Sequence, residues 1–238
     1  MSINISKTII KNIVDLQLNC ESVSERNILE ILGLFSGGKN VVRIPINNSE
    51  WSIIKEFGIK NKLFIKHSNF KLAIVRKTPL GDIFTKNVDW DTPNTIGFVA
   101  YLSLTKKWAS TASELESKAN SYQLGKLYQY PICCINAYKE IENGKFWVES
   151  ILDKTKKNIH LFYANKLAYL FDQSSIIYDY FPCSLDCSKT IKIGKYYEEL
   201  LIKVELNEMY SKIKNNLKKP ILIGDGFLVQ TNGFPINN

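Results

Sequence analysis

The chain has 238 residues, of which 45% are hydrophobic, 23% charged and 12% aromatic, a globular composition that excludes a disordered chain, a collagen and a coiled coil. That length supports one large domain or two halves sharing a core, with no need of disulfides to stabilise it. The net charge is +8, but the arginines are Arg26, Arg43 and Arg76 alone, and a lysine-dominated surface lacks the bidentate fork that nucleic-acid readout favours; the charge reads as solvated helix faces, with an anionic partner left open.

The opening stretch, Met1 to Asn12, lacks a basic region followed by an apolar run and a cleavage site, and nowhere do about 18 apolar residues run together. The expectation is a cytoplasmic protein with no membrane partner, in which thiols serve catalysis, metal binding or packing. Residues 22–34 read as a helix, with Ser22 and Glu25 as a capping-box pair, Ile28, Leu29, Ile31 and Leu32 at helical spacing and Gly33 as its stop. Residues 35–40 read as a turn, 41–46 as a strand and 50–57 as a short helix with Trp51, Ile54 and Phe57 on one face.

Between residues 62 and 102 the pattern turns to β. Strands are expected over 63–65, 70–75, 82–85 and 95–102, separated by turns at Ser68-Asn69, residues 79–81 and residues 91–93. Leu104, Trp108, Ala112, Leu115 and Ala119 form a stripe that predicts an amphipathic helix on that sheet. Pro131 opens a helix over 132–142, since proline is tolerated where its missing N–H is not needed. Further helices are expected over 152–172 and 188–217, the first followed by a turn through 178–182, the second ended by Pro220. A terminal hairpin over 221–229 turns at Gly224-Asp225-Gly226. The class is α+β in a single unit, 1–238: a small mixed or antiparallel sheet in the half 1–103, packed against a mainly helical, cysteine-bearing half, 104–238.

Five cysteines are too few for a disulfide scaffold. Four fall in two pairs, Cys133 with Cys134 just after Pro131, and Cys183 with Cys187 just after Pro182. Thiols at helix starts feel the positive end of the dipole, which favours thiolate, the form that binds metal. Two distant pairs give the arithmetic of a tetrahedral site of four sulfurs, for zinc or an iron–sulfur cluster. Adjacent cysteines point about 100° apart on a helix, which favours the cluster over a single small ion. Buried thiols in a core remain the plain alternative.

The segments Gly125-Lys-Leu-Tyr-Gln-Tyr-Pro-Ile-Cys-Cys-Ile-Asn-Ala-Tyr138 and Phe181-Pro-Cys-Ser-Leu-Asp-Cys187 resemble the paired signatures of an uncharacterised prokaryotic family of unknown function: Gly-x-Leu-Leu-Gly-Tyr-Pro-x-Cys-Cys, then Phe-Pro-Cys-Ser-x-x-Cys. The chain departs at Tyr128 and Gln129, where that family tends to have Leu and Gly. The resemblance implies a four-cysteine site at Cys133, Cys134, Cys183 and Cys187 and supplies no reaction.

Cys20 offers a competing constellation. A cysteine ahead of a helix is how papain-like nucleophiles are presented, and residues 17–29 are similar to the nucleophile region of papain-fold bacterial peptidases and their acyltransferase relatives. A triad of Cys20, His67 and Asp82 can be written, with Asp89 as another orienting carboxylate and Gln17 near an oxyanion hole. The other histidine, His160, is either a spare ligand or a boundary residue. The leading expectation is a metalloprotein holding an iron–sulfur cluster, or zinc, through the four cysteines, with a redox or sulfur-chemistry role open. A cysteine peptidase or acyltransferase is the second reading, and a non-catalytic binder of an anionic partner the third.

Overall fold

A computed structural model describes residues 5–77, 83–142, 180, 182–184, 186–217, 221–223 and 227–229. The chain divides into two compact units, residues 1–129 and 130–238.

The first unit opens with helices α1 (Lys7–Asn19) and α2 (Glu25–Phe35). Ser24, not Ser22, is the N-cap of α2: its backbone N–H donates to Asn27 Oδ1 at 3.1 Å, because Ser22 is engaged elsewhere, by Glu50. Gly33 lies inside the helix, and the stop is Gly37, whose φ of +79° reverses the chain so that the Gly38 N–H returns to Gly33 O at 2.8 Å. Every residue of α2 from Asn27 to Leu34 is buried, so the helix is a core element rather than a surface one. Within it, Glu30 forms a buried ion pair with Lys39.

Strand β1 (Val42–Ile46), a 3-10 turn (Asn48–Glu50), helix α3 (Trp51–Lys60) and strands β2 (Phe64–Lys77), β3 (Ile83–Val88) and β4 (Gly97–Ser103) follow. The strands form one antiparallel sheet in the order β1-β4-β2-β3, so the expected sheet is present and antiparallel throughout. The Ser68-Asn69 turn is instead a bulge inside one long strand. His67 faces Ala100 and Lys71 faces Phe98, and the interrupted ladder is repaired by Ser68, whose Oγ accepts from the Val99 N–H at 3.1 Å and donates to Phe70 O at 2.6 Å. Turn-forming side chains here supply the missing hydrogen bonds rather than reversing the chain.

Central β4 is buried along its whole length. Gly97 opens it at φ +148°, where a Cβ would lie 1.9 Å from Ile46 O, so only glycine fits. Pro45 on edge strand β1 faces Val99. Since the Val99 N–H is used on the β2 side, the donor that Pro45 lacks would have pointed away from the sheet.

Helix α4 (Lys106–Ser117) packs on β2 and β4, and α5 (Ser121–Leu127) on α4. The buried positions of α4 are Ala109, Ala112 and Ser113, a correction to the expected stripe: Leu104 precedes the helix and is exposed. Small residues let the helix lie close to the sheet, and this rotation brings Glu116 to Arg43 and Tyr101. Arg43 Nε and Nη2 bond the Glu116 carboxylate at 2.7–2.9 Å, and Tyr101 Oη donates to it at 2.9 Å.

In the second unit, α6 (Ile132–Glu142) begins where the proline predicts. The expected helix over 188–217 is two helices, α7 (Ser188–Lys203) and α8 (Asn207–Leu217). Glu205 takes φ +62°, and the Leu206 N–H returns to Leu201 O at 3.1 Å, closing α7 without a glycine. That conformation carries no sequence signal when glutamate adopts it. Tyr210 on α8 then donates to Glu198 on α7 at 2.7 Å. A hairpin pairs β5 (Ile221–Ile223) with β6 (Phe227–Val229). The expected helix over 152–172 and the turns at 79–81, 178–179 and 224–226 lie outside the described residues.

Candidate metal centre

The four paired cysteines come together within the second unit, their Sγ atoms all within 4.8 Å of one another. Local structure explains how. Pro131 supplies the first carbonyl of α6, accepting from Cys134 N at 2.9 Å and Ile135 N at 3.0 Å, which makes Cys133 and Cys134 first-turn residues. Cys187 is the N-cap of α7, and a turn closed by Cys187 N to Ser184 O at 3.2 Å presents it. Two helix N-termini thus converge their partial positive charge on the sulfurs.

Adjacent cysteines do not diverge here. Cys133 and Cys134 Sγ atoms are 3.9 Å apart, and each is 3.8 Å from Cys187 Sγ, a nearly equilateral triangle. Cys183 completes the set, its backbone N–H donating to Cys134 Sγ at 3.4 Å. Cys134 and Cys187 are buried, Cys133 and Cys183 half-buried. Behind them, Thr190 Oγ1 lies 3.5 Å from Cys134 Sγ and accepts from Tyr180 Oη at 3.1 Å. The Tyr180 ring stacks on Tyr130 with centroids 4.7 Å apart.

The thiols compete for charge. Hydrogen bonds from Cys134 and Cys183 hold Cys187 far below the usual thiol range. Cys134 is pushed far up by its bonds to Cys183 and Cys187 and by burial. Cys183 is held down by Cys134 but pushed up more by Cys187, burial and the neighbouring charges, to about 11. Without a cation, like charges this close cannot all form; a divalent ion would let all four thiols ionise. The donor set fits a soft, tetrahedrally coordinated metal.

The residues of the rival constellation stand in other surroundings. Cys20 is 1% exposed. Burial, the charge of Glu50 and a hydrogen bond to that carboxylate push its thiol up to about 12, the reverse of what a nucleophile needs. Glu50 accepts from Ser22 N and Asn47 N, each at 3.0 Å, and from the Ser22 hydroxyl. His67 packs among Trp51, Trp90 and Phe98 at centroid distances of 5.3–6.0 Å, and its Nδ1 lies 2.6 Å from Ser68 O. Asp89 is exposed, and Asp82 and His160 lie outside the described residues.

Thr190, Tyr180 and Glu50 were not legible as partners. Thr190 had one usable signal, its position three residues after Cys187 at a helix start, the spacing at which an N3 side chain faces the cap.

Residues 105–221 match the model of a family described as a protein of unknown function, DUF483. The matched span contains all four cysteines, and the resemblance carried by their motifs is to an uncharacterised family of this kind. No curated protein and no solved structure matches the chain. Among the described residues, no helix is long and apolar enough to cross a membrane.

Proposed function

We propose that the protein is a metalloprotein with a closed, single-ion centre of four thiolates, Cys133, Cys134, Cys183 and Cys187, and that the ion is zinc. The observation that carries this reading is the sulfur triangle of 3.8, 3.8 and 3.9 Å. Four sulfurs about 2.3 Å from one ion at tetrahedral angles stand about 3.8 Å apart. An iron–sulfur cluster separates its irons and therefore needs its cysteines farther apart, and the argument for a cluster from diverging neighbours loses its basis when both neighbours reach Cys187 equally.

A centre with four protein ligands has no open position, so its role is structural. It fastens the start of α6 to the 183–187 turn and the start of α7, elements that a segment of about 50 residues separates in sequence. Such a centre fits a reducing compartment such as the cytosol, where thiolates stay available to metal.

The test is anaerobic purification with metal, sulfide and visible-absorption analysis. One zinc per chain, no sulfide and no visible band are expected. Stoichiometric iron with inorganic sulfide would replace the single ion by a cluster, and the absence of any stoichiometric metal would defeat the reading altogether.

A further inference from the structure

The four sulfurs are not equivalent. Cys134 is 2% exposed and Thr190 0%, and the two meet at 3.5 Å. Tyr180, itself buried, points its hydroxyl at Thr190 Oγ1. When Tyr180 donates, the oxygen of Thr190 is an acceptor in that bond, and its own hydrogen is free to turn to the sulfur. A metal-bound thiolate only accepts, so the chain runs from Tyr180 to Thr190 and on to the buried sulfurs, Cys134 at 3.5 Å and Cys187, which Thr190 also reaches. Cys134 also accepts the Cys183 backbone N–H. Two donors therefore draw charge from the sulfur that is already deepest, while Cys133 and Cys183 are half-exposed. A hydrogen bond to a thiolate lowers its nucleophilicity, and outer-shell partners tune metal centres in this way.

We infer that Thr190, oriented by Tyr180, is a positioning residue that shields the Cys134 thiolate, and that the centre meets soft alkylating electrophiles at Cys133 and Cys183. The reaction there is a simple displacement: a sulfur–carbon bond forms, the leaving group departs with its electron pair, and the resulting thioether is a poorer ligand that loosens the ion. This rests on the single-ion reading above.

The experiment uses the full chain as purified, with its metal content measured first, and limiting iodoacetamide, which loses iodide. Alkylated positions are mapped by mass spectrometry while a chromophoric chelator reports metal release. First alkylation at Cys133 or Cys183 is expected, with Cys134 modified only after the ion has left. Thr190→Val, at full metal content, should speed metal release about tenfold, the equivalent of one hydrogen bond to a charged group, and bring Cys134 into the first modification. Thr190→Ser should restore the original order, a rescue that a packing role for the side chain would not give, and Tyr180→Phe should fall between. Alkylation of Cys134 as early as Cys133 in the unaltered protein, or a silent Thr190→Val at full metal content, overturns the inference and leaves the metal reading standing. Absence of metal overturns both.

Discussion

Removing the ion should loosen the second unit by an amount the chain length sets. On the proposed reading the ion links Cys134 to Cys183 across about 50 residues, and cross-linking a loop of that size removes about 4 kcal/mol of chain entropy from the unfolded state. Stripping the metal with a chelator under reducing conditions returns that freedom, and it leaves four sulfurs inside 4.8 Å that can no longer all be ionised. Native-state hydrogen exchange reads the change locally: amides of α6 and α7 should lose about 1,000-fold in protection, and zinc should restore it. Amides of β4 serve as the internal reference. Protection of α6 and α7 that stays within threefold after stripping would refute the fastening role, because no cross-link of this span can be released so cheaply.

Three other outcomes follow from the first unit. Glu50→Gln should cost about 2 kcal/mol in a denaturation midpoint at pH 7, since two backbone donors lose a charged acceptor. The hydrogen bonds from Ser22, Asn47 and Cys20 outweigh burial and hold the Glu50 carboxyl below its ordinary range, so its contribution is present above the unfolded-state value and fades as pH falls through the folded one; the gap between the two proteins should close in acid, and a pH-independent gap would count against the carboxylate. Cys20, with its thiol at about 12, should react with iodoacetamide at pH 8 more than about 1,000-fold slower than free cysteine, and a rate within tenfold of free cysteine would revive a nucleophilic role. Gly97→Ala should destabilise by more than about 3 kcal/mol in the same denaturation assay, because the obstacle at 1.9 Å is backbone; a loss under 1 kcal/mol would show that the strand can shift.

Elements with local, periodic causes were legible in the sequence. Helix α6 starts after Pro131, β1 and β4 lie within a residue or two of their predicted ends, and the hairpin pairs Ile221 with Val229 across the predicted turn. What escaped depends on partners distant in sequence. Ser68 reads as a turn residue until Val99 is beside it to use its hydroxyl. Ser22 reads as a cap until Glu50, far along the chain, claims it. The face of α4 follows from Arg43 and Tyr101 rather than from its own apolar residues. The cysteine pairs were legible as a set because proline steps place each at a helix start. Their separation, which decides between one ion and several, was not legible, since it depends on how two helix starts approach.

The edges of the sheet bear on how the molecule behaves in company. An exposed strand edge is an invitation for a second chain to add its own strand, the route by which many β proteins aggregate or swap segments. On β1, Pro45 removes an outward donor at no internal loss. On β3, the opposite edge, the exposed Lys86 brings a charge that a docking strand would have to accommodate. Among the described residues, both edges of the sheet thus discourage recruitment of further strands, which favours a chain that stays dispersed.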